Sequence, residues 1–233
     1  MVALKAFQLI RPRHWVKNIF LFAPLIFTPS LYSQFNILDL IIGFSCFSFM
    51  SSAVYVINDY KDQDADRLHP IKKNRPIASG DISNITAIIL FFVLCIIAIL
   101  LSYFYLNIAF LAVLMTYFCV NLLYCFYTKN YSIFDVLSIA FGFVLRVAAG
   151  AAIIGVTASI WLLLCTGFIA LFLAFAKRRD DLVNNVSAEH RPALSGYNIL
   201  FIDIASTVSL TSVLLCYALY TCLLYTSPSP RDA

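Results

Sequence analysis

The sequence predicts an all-α, polytopic membrane protein, a bundle of apolar helices with its polar chemistry gathered at one end. Composition and pattern both carry that prediction. Of 233 residues, 62% are hydrophobic and 12% charged, where a soluble domain carries roughly 25% charged residues. The apolar residues fall in blocks of about 20 without period-two alternation, the length at which a helix crosses a hydrocarbon core about 30 Å thick. Backbone groups in lipid must be paired within their own segment or in a closed barrel, so blocks of this kind are helices.

About seven spans are expected, over residues 15–33, 37–57, 85–104, 107–127, 132–155, 158–176 and 199–224. The first starts beside Lys17 and is interrupted by Pro24 and Pro29. The second runs into an acidic loop at residue 58. The third and fourth are joined by a loop without Lys or Arg, as are the fifth and sixth, and the sixth ends in Lys177-Arg178-Arg179. Within the fifth, Ala148, Ala149, Gly150 and Ala151 form a small-residue patch suited to close helix packing. All Lys and Arg except Arg146 and Arg231 fall on one side of this arrangement. Basic residues mark the cytoplasmic side. The N-terminus and the polar loops 58–84 and 177–198 are therefore expected in the cytoplasm, and the protein in the plasma (inner) membrane. Arg11, Arg13 and Lys17 interrupt the N-terminal region, which has no cleavable-signal pattern. Residues 1–225 are expected to form a single domain. The polar stretch 226–233, Thr-Ser-Pro-Ser-Pro-Arg-Asp-Ala, is expected to be a non-native tail.

The seven cysteines lie inside apolar blocks without CxxC or His-paired spacing, which excludes the usual disulfide and zinc frameworks. Chemistry concentrates in two polar loops. The first opens Asn58-Asp59-Tyr60-Lys61-Asp62-Gln63-Asp64-Ala65-Asp66. If the second span continues as a helix, Asp59, Asp62 and Asp66 fall within roughly 60° of one another, while Asp64 points elsewhere. Three carboxylates on one face repel each other unless a cation sits among them. Hard oxygen donors suit Mg²⁺, which binds through a few carboxylates, waters and substrate phosphates. Asp59, Asp62 and Asp66 are thus the expected metal ligands and catalytic residues. Arg67, Lys72, Lys73 and Arg75 supply the charge for an anionic, phosphorylated ligand, although some of them would serve only to set topology. The second loop begins Lys177-Arg178-Arg179-Asp180-Asp181. Lys177 and Asp181 share a helical face, as an ion pair or as part of a second phosphate site. Arg191, Ser195 and Tyr197 lie where they could close the pocket. Inside the spans, Arg146 and Asp203 are the ionisable exceptions. Such groups face a cavity or a partner, with helix-packing glue the competing explanation for Arg146.

These residues resemble a known family. Asn58-Asp59-x-x-Asp62-x-x-x-Asp66 looks like the first aspartate-rich motif of the UbiA superfamily of intramembrane prenyltransferases. Several stretches sharpen the likeness to its decaprenyl-phosphate phosphoribosyltransferase branch. They are Arg11-Pro12-Arg13-His14-Trp15-Val16-Lys17-Asn18, Lys73-Asn74-Arg75-Pro76-Ile77-Ala78, Leu145-Arg146-Val147-Ala148-Ala149-Gly150, Lys177-Arg178 and Arg191-x-x-Leu194-x-x-Tyr197. The resemblance implies a UbiA-like bundle of nine helices, of which about seven are expected here. It also implies Mg²⁺ at the cytoplasmic mouth and transfer of 5-phosphoribose from phosphoribosyl diphosphate to a polyprenyl phosphate, releasing pyrophosphate, for cell-envelope precursors. Lys17, Asn58, Lys73, Arg75, Lys177, Arg178, Asp181, Arg191 and Tyr197 would bind substrate. The alternative is UbiA-type transfer of a polyprenyl group from its diphosphate to an aromatic acceptor. The expected partners are the two substrates and the membrane, with no nucleic acid, and a homo-oligomer is allowed for. The chain departs from ring-prenylating members in carrying Lys177-Arg178-x-x-Asp181 where they have a second DxxxD.

Overall fold

Each apolar block becomes a helix, and the caps lie where short polar side chains precede them. A computed structural model describes residues 2–27, 36–184 and 192–226. The helices are α1 (Val2–Ile10), α2 (Ala23–Phe27), α3 (Ile37–Lys61), α4 (Gln63–Leu68), α5 (Asn84–Tyr105), α6 (Ile108–Phe126), α7 (Phe134–Ile153), α8 (Ile160–Val183) and α9 (Ile199–Thr226). Asn36, Ser83 and Asn107 cap α3, α5 and α6 by accepting a backbone N–H two or three residues on, which satisfies a donor the helix cannot. No strand occurs among the described residues.

Six of these helices, α3 and α5 to α9, are long and apolar enough to cross a membrane, and the protein is a multi-pass membrane protein. The expected first span is the exception. Residues 12–22 wind as a 3-10 helix and only Ala23–Phe27 turn α-helical; residues 28–33 lie outside the described ones. The physical reason is Pro24, which has no N–H to give Phe20 and fits only the first turn of a new helix. In a 3-10 helix, residues three apart lie in line. One row, Trp15, Asn18 and Leu21, faces the bundle: Trp15 Nε1 donates to Ser52 Oγ (3.0 Å) and Asn18 Nδ2 to Ser48 Oγ (3.1 Å). The row His14, Lys17 and Phe20 is more exposed, with His14 beside Tyr55 of α3 and Phe20 edge-on to Phe143 of α7.

Helices α3 and α7 are the interior ones, with at least half of their membrane-length windows buried, against fewer than a third in the others. Around α3 pack α1, α5, α6 and the 3-10 segment; α7 packs on α6, α8 and the same segment, and α8 on α9. The core between them holds Leu9, Leu21, Leu40, Phe47, Met50, Phe110, Leu114 and Tyr117. The tightest approach is at Gly150, where a Cβ would stand 1.9 Å from the carbonyl oxygen of Leu21. Backbone cannot yield there as a flexible side chain would. Gly150→Ala is expected to lower stability by about 3 kcal/mol or more, read as an earlier thermal melt in detergent.

Candidate active site

The polar groups meet at the end of the bundle where α3 stops. Helix α3 ends at Lys61; Asp62 has φ −90° and ψ 3° as its C-cap, and α4 restarts at Gln63. That break changes the expected geometry. Asp59 and Asp66 still converge, but Asp62 is turned to another partner. Asp59, 2% exposed, accepts from Arg11 Nη2 at 2.6 and 2.7 Å and from Arg75 Nη1 at 3.0 Å. The same Arg75 Nη1 donates to Asp66 Oδ2 at 2.6 Å. Burial pushes the Asp66 carboxyl above the usual carboxylate range, with Arg75 opposing it. Asp62 accepts instead from Lys129 Nζ at 2.5 and 2.7 Å, and Asn58 Oδ1 lies 3.4 Å from that ammonium. Asp64 is exposed and pairs with Arg67, off the site as its spacing predicted.

Among the described residues, no three Asp, Glu, His or Cys side chains close on one point, so the expected carboxylate trio appears as a pair and an outlier. The pair nevertheless fits a divalent ion. Two buried carboxylates from successive helices aim one oxygen each at a single cationic nitrogen, and all their donors are hard oxygens. A metal that keeps waters and substrate phosphates needs few protein ligands.

Arg11 reaches the site because it adopts φ +50° just before Pro12, a left-handed conformation that non-glycine residues rarely hold away from functional positions. Its guanidinium lies over the Tyr55 ring, 5.1 Å from the centroid. His14 stands beside Tyr55 Oη at 3.3 Å, its pKa lowered by burial and then by Lys17, Arg11 and Lys177. The side chains of His14, Lys17 and Lys177 are all exposed.

The remaining expected ligands are deployed differently. Arg178 is fully buried and grips Asp135 of α7 with Nε at 2.5 Å and Nη2 at 2.9 Å. Tyr124 Oη donates to Asp135 Oδ1 at 3.1 Å, and Asp181 lies 3.3 Å from Arg178 Nη1. Arg178 thus joins α6, α7 and α8 through Asp135 and Tyr124, with Asp181 beside it. Tyr197 is buried, and its hydroxyl accepts the N–H of Ile133 at 2.5 Å. Ile133 has φ +69°, a strained setting for a β-branched residue, so Tyr197 secures the turn that starts α7. Lys73 is exposed on the 72–74 turn, and Arg191 lies outside the described residues. Arg11, Lys129 and Asp135 are site or support residues that sequence reasoning missed. Lys129 did give a signal, as the basic residue of a short loop on the same side as the acids.

Comparison with known proteins agrees with this architecture. The decaprenyl-phosphate phosphoribosyltransferase of Corynebacterium glutamicum is 35% identical over 216 residues, 91% of this chain and 65% of its own length. That of Mycobacterium tuberculosis is 33% identical over 91% of this chain and 72% of its own. The chain thus spans about two thirds of the length of the curated relatives it matches. Among solved structures, a UbiA homologue from Archaeoglobus fulgidus bound to DMAPP and Mg²⁺ superposes with a TM-score of 0.78, covering 97% of this chain and 80% of that one at 19% identity. A model of the UbiA prenyltransferase family matches residues 19–230. From that match and those identities, the chain belongs to the UbiA prenyltransferase family.

Proposed function

We propose that this protein transfers 5-phosphoribose from phosphoribosyl diphosphate to a polyprenyl phosphate and releases pyrophosphate. The reaction takes place at the cytoplasmic face of the plasma membrane. The observation that carries the reading is the convergence of Asp59 and Asp66 on the Arg75 guanidinium, with Arg11 also on Asp59 and the Asp62–Lys129 pair beside them. The decaprenyl-phosphate phosphoribosyltransferases among its relatives, similar over nine tenths of the chain, support the choice of substrates.

Asp59 and Asp66 would hold Mg²⁺, with Asp62 and Asn58 beside them. A divalent ion there supplies charge neutralisation to the departing diphosphate. Arg11 and Arg75 are already at the carboxylates and need only reorient to donate to phosphate oxygens. Lys129 anchors the edge of the site through Asp62. The acceptor's phosphate oxygen attacks the anomeric carbon as the bond from that carbon to the diphosphate oxygen breaks. A phosphate oxyanion needs no deprotonation, so the protein's task is alignment and electrostatics rather than general-base chemistry.

The test is an assay in detergent with labelled phosphoribosyl diphosphate and polyprenyl phosphate. Lipid-linked phosphoribose is expected with Mg²⁺ and is lost with EDTA. A preparation that makes none, and instead prenylates an aromatic acid from a polyprenyl diphosphate, would overturn the reading.

A further inference from the structure

Lys61 lies inside the acidic run, yet its ammonium reaches another helix. It donates to the carbonyls of Cys125 (2.8 Å) and Phe126 (2.9 Å) and stands 4.7 Å from the centroid of the Phe126 ring. Helix α6 ends at Phe126, with Tyr127 as its C-cap and a 3-10 turn over Thr128–Asn130. The last carbonyls of a helix have no N–H one turn ahead to accept. A cation there satisfies them and meets the negative pole of the helix dipole. For α6 that cation comes from the end of α3.

The turn held in this way sends a lysine back in the opposite direction. Lys129 Nζ binds both carboxylate oxygens of Asp62 and lies 3.4 Å from Asn58 Oδ1. Asn58 and Asp62 flank Lys61 at the end of α3. The two lysines therefore cross: one runs from the end of α3 to the end of α6, the other from the turn after α6 to the end of α3. Lys129 is three residues beyond Phe126, so a shift of the α6 terminus moves the ammonium that holds Asp62.

We propose that Lys61 is a positioning residue for the site. By fixing the end of α6 it sets where Lys129 holds Asp62 and Asn58 beside the Asp59–Asp66 pair. Its own ammonium is engaged on α6, so it acts through Lys129 rather than by contact with substrate. A misplacement of about 1 Å around a reacting group costs on the order of 10²-fold. The rival account is a lysine that only strengthens the contact between α3 and α6, which predicts an earlier melt and an unchanged site. The inference rests on the phosphoribosyl-transfer reading for the group the mouth takes, a diphosphate carried with a divalent ion.

The test is a binding cycle without turnover. The full chain in detergent is titrated with inorganic pyrophosphate at saturating Mg²⁺, with thermal stabilisation as the readout. Wild type, Lys61→Met, Lys129→Met and the double variant are compared. Methionine keeps an apolar stem against Phe126 and removes the donors. Lys61→Met should raise the Kd about tenfold, and Lys61→Arg should restore most of it. The double variant should bind no more weakly than Lys129→Met alone, because the two residues act in series. Should Lys61→Met fail to fold, the shorter Lys61→Gln carries the same cycle. An earlier melt with wild-type Kd would overturn the proposal, and so would losses that sum in the double variant. In both of those cases wild type still binds pyrophosphate with Mg²⁺, and the transfer reading stands. If wild type binds none, the transfer reading fails and this inference with it.

Discussion

Asp59→Asn is expected to lower kcat by roughly 10³-fold, on the scale of losing one preorganised charge-stabilising group, while folded protein is recovered in normal yield. Asp59 is the point where the elements of the mouth meet: α3 supplies it, and Arg11 and Arg75 both bind it. The amide keeps the shape and one acceptor oxygen but loses the charge that would hold a divalent ion. Asp64→Asn is the matched control. It lies five residues on, is exposed and pairs with Arg67, so this variant should turn over at the wild-type rate. Turnover in both variants within about twofold of wild type, a change worth under about 0.5 kcal/mol, would remove Asp59 from the reaction.

The second large effect is on stability. Asp135→Leu or Arg178→Met should each destabilise the fold by about 3–5 kcal/mol, because each leaves an uncompensated charge between α7 and α8. Both groups are fully buried and joined through two hydrogen bonds, with Tyr124 on a third helix. Replacing both at once, as Asp135→Leu with Arg178→Met, should recover much of the loss, since an ion pair of this kind is poorly repaid for its desolvation. Denaturation of the four proteins in detergent gives the coupling energy directly. A strictly additive cycle would mean that the two side chains do not act as a pair.

Much of this was legible in the sequence because hydrophobic length and charge placement are local properties. Six of the expected spans correspond to α3 and α5 to α9, and the acidic run sits at the end of α3 as its position implied. What was not legible depended on local breaks and on long-range pairing. The estimate that put Asp59, Asp62 and Asp66 on one face assumed an unbroken helix, and one residue with ψ near zero at Asp62 undoes it. Nothing near Arg178 in the sequence announces Asp135, 43 residues away, as the acid that takes its charge. The resemblance implies Arg178 and Asp181 as substrate ligands, whereas burial against Asp135 makes the first of them a strut. Tyr197 likewise could be seen as polar and placed before a span, but its hydroxyl is bound to a strained turn 64 residues earlier.

The three-fold winding of residues 12–22 has a consequence for how anions meet this protein. An α-helix would swing His14, Lys17 and Phe20 progressively around its axis. The tighter coil stacks them like rungs, with about 6 Å of depth between one and the next. Arg11 stands at its start as the N-cap, with His14 and Lys17 one and two rungs along it. The segment is a graduated scale rather than a wall: it presents Arg11, His14 and Lys17 in steps comparable to the diameter of a phosphate group.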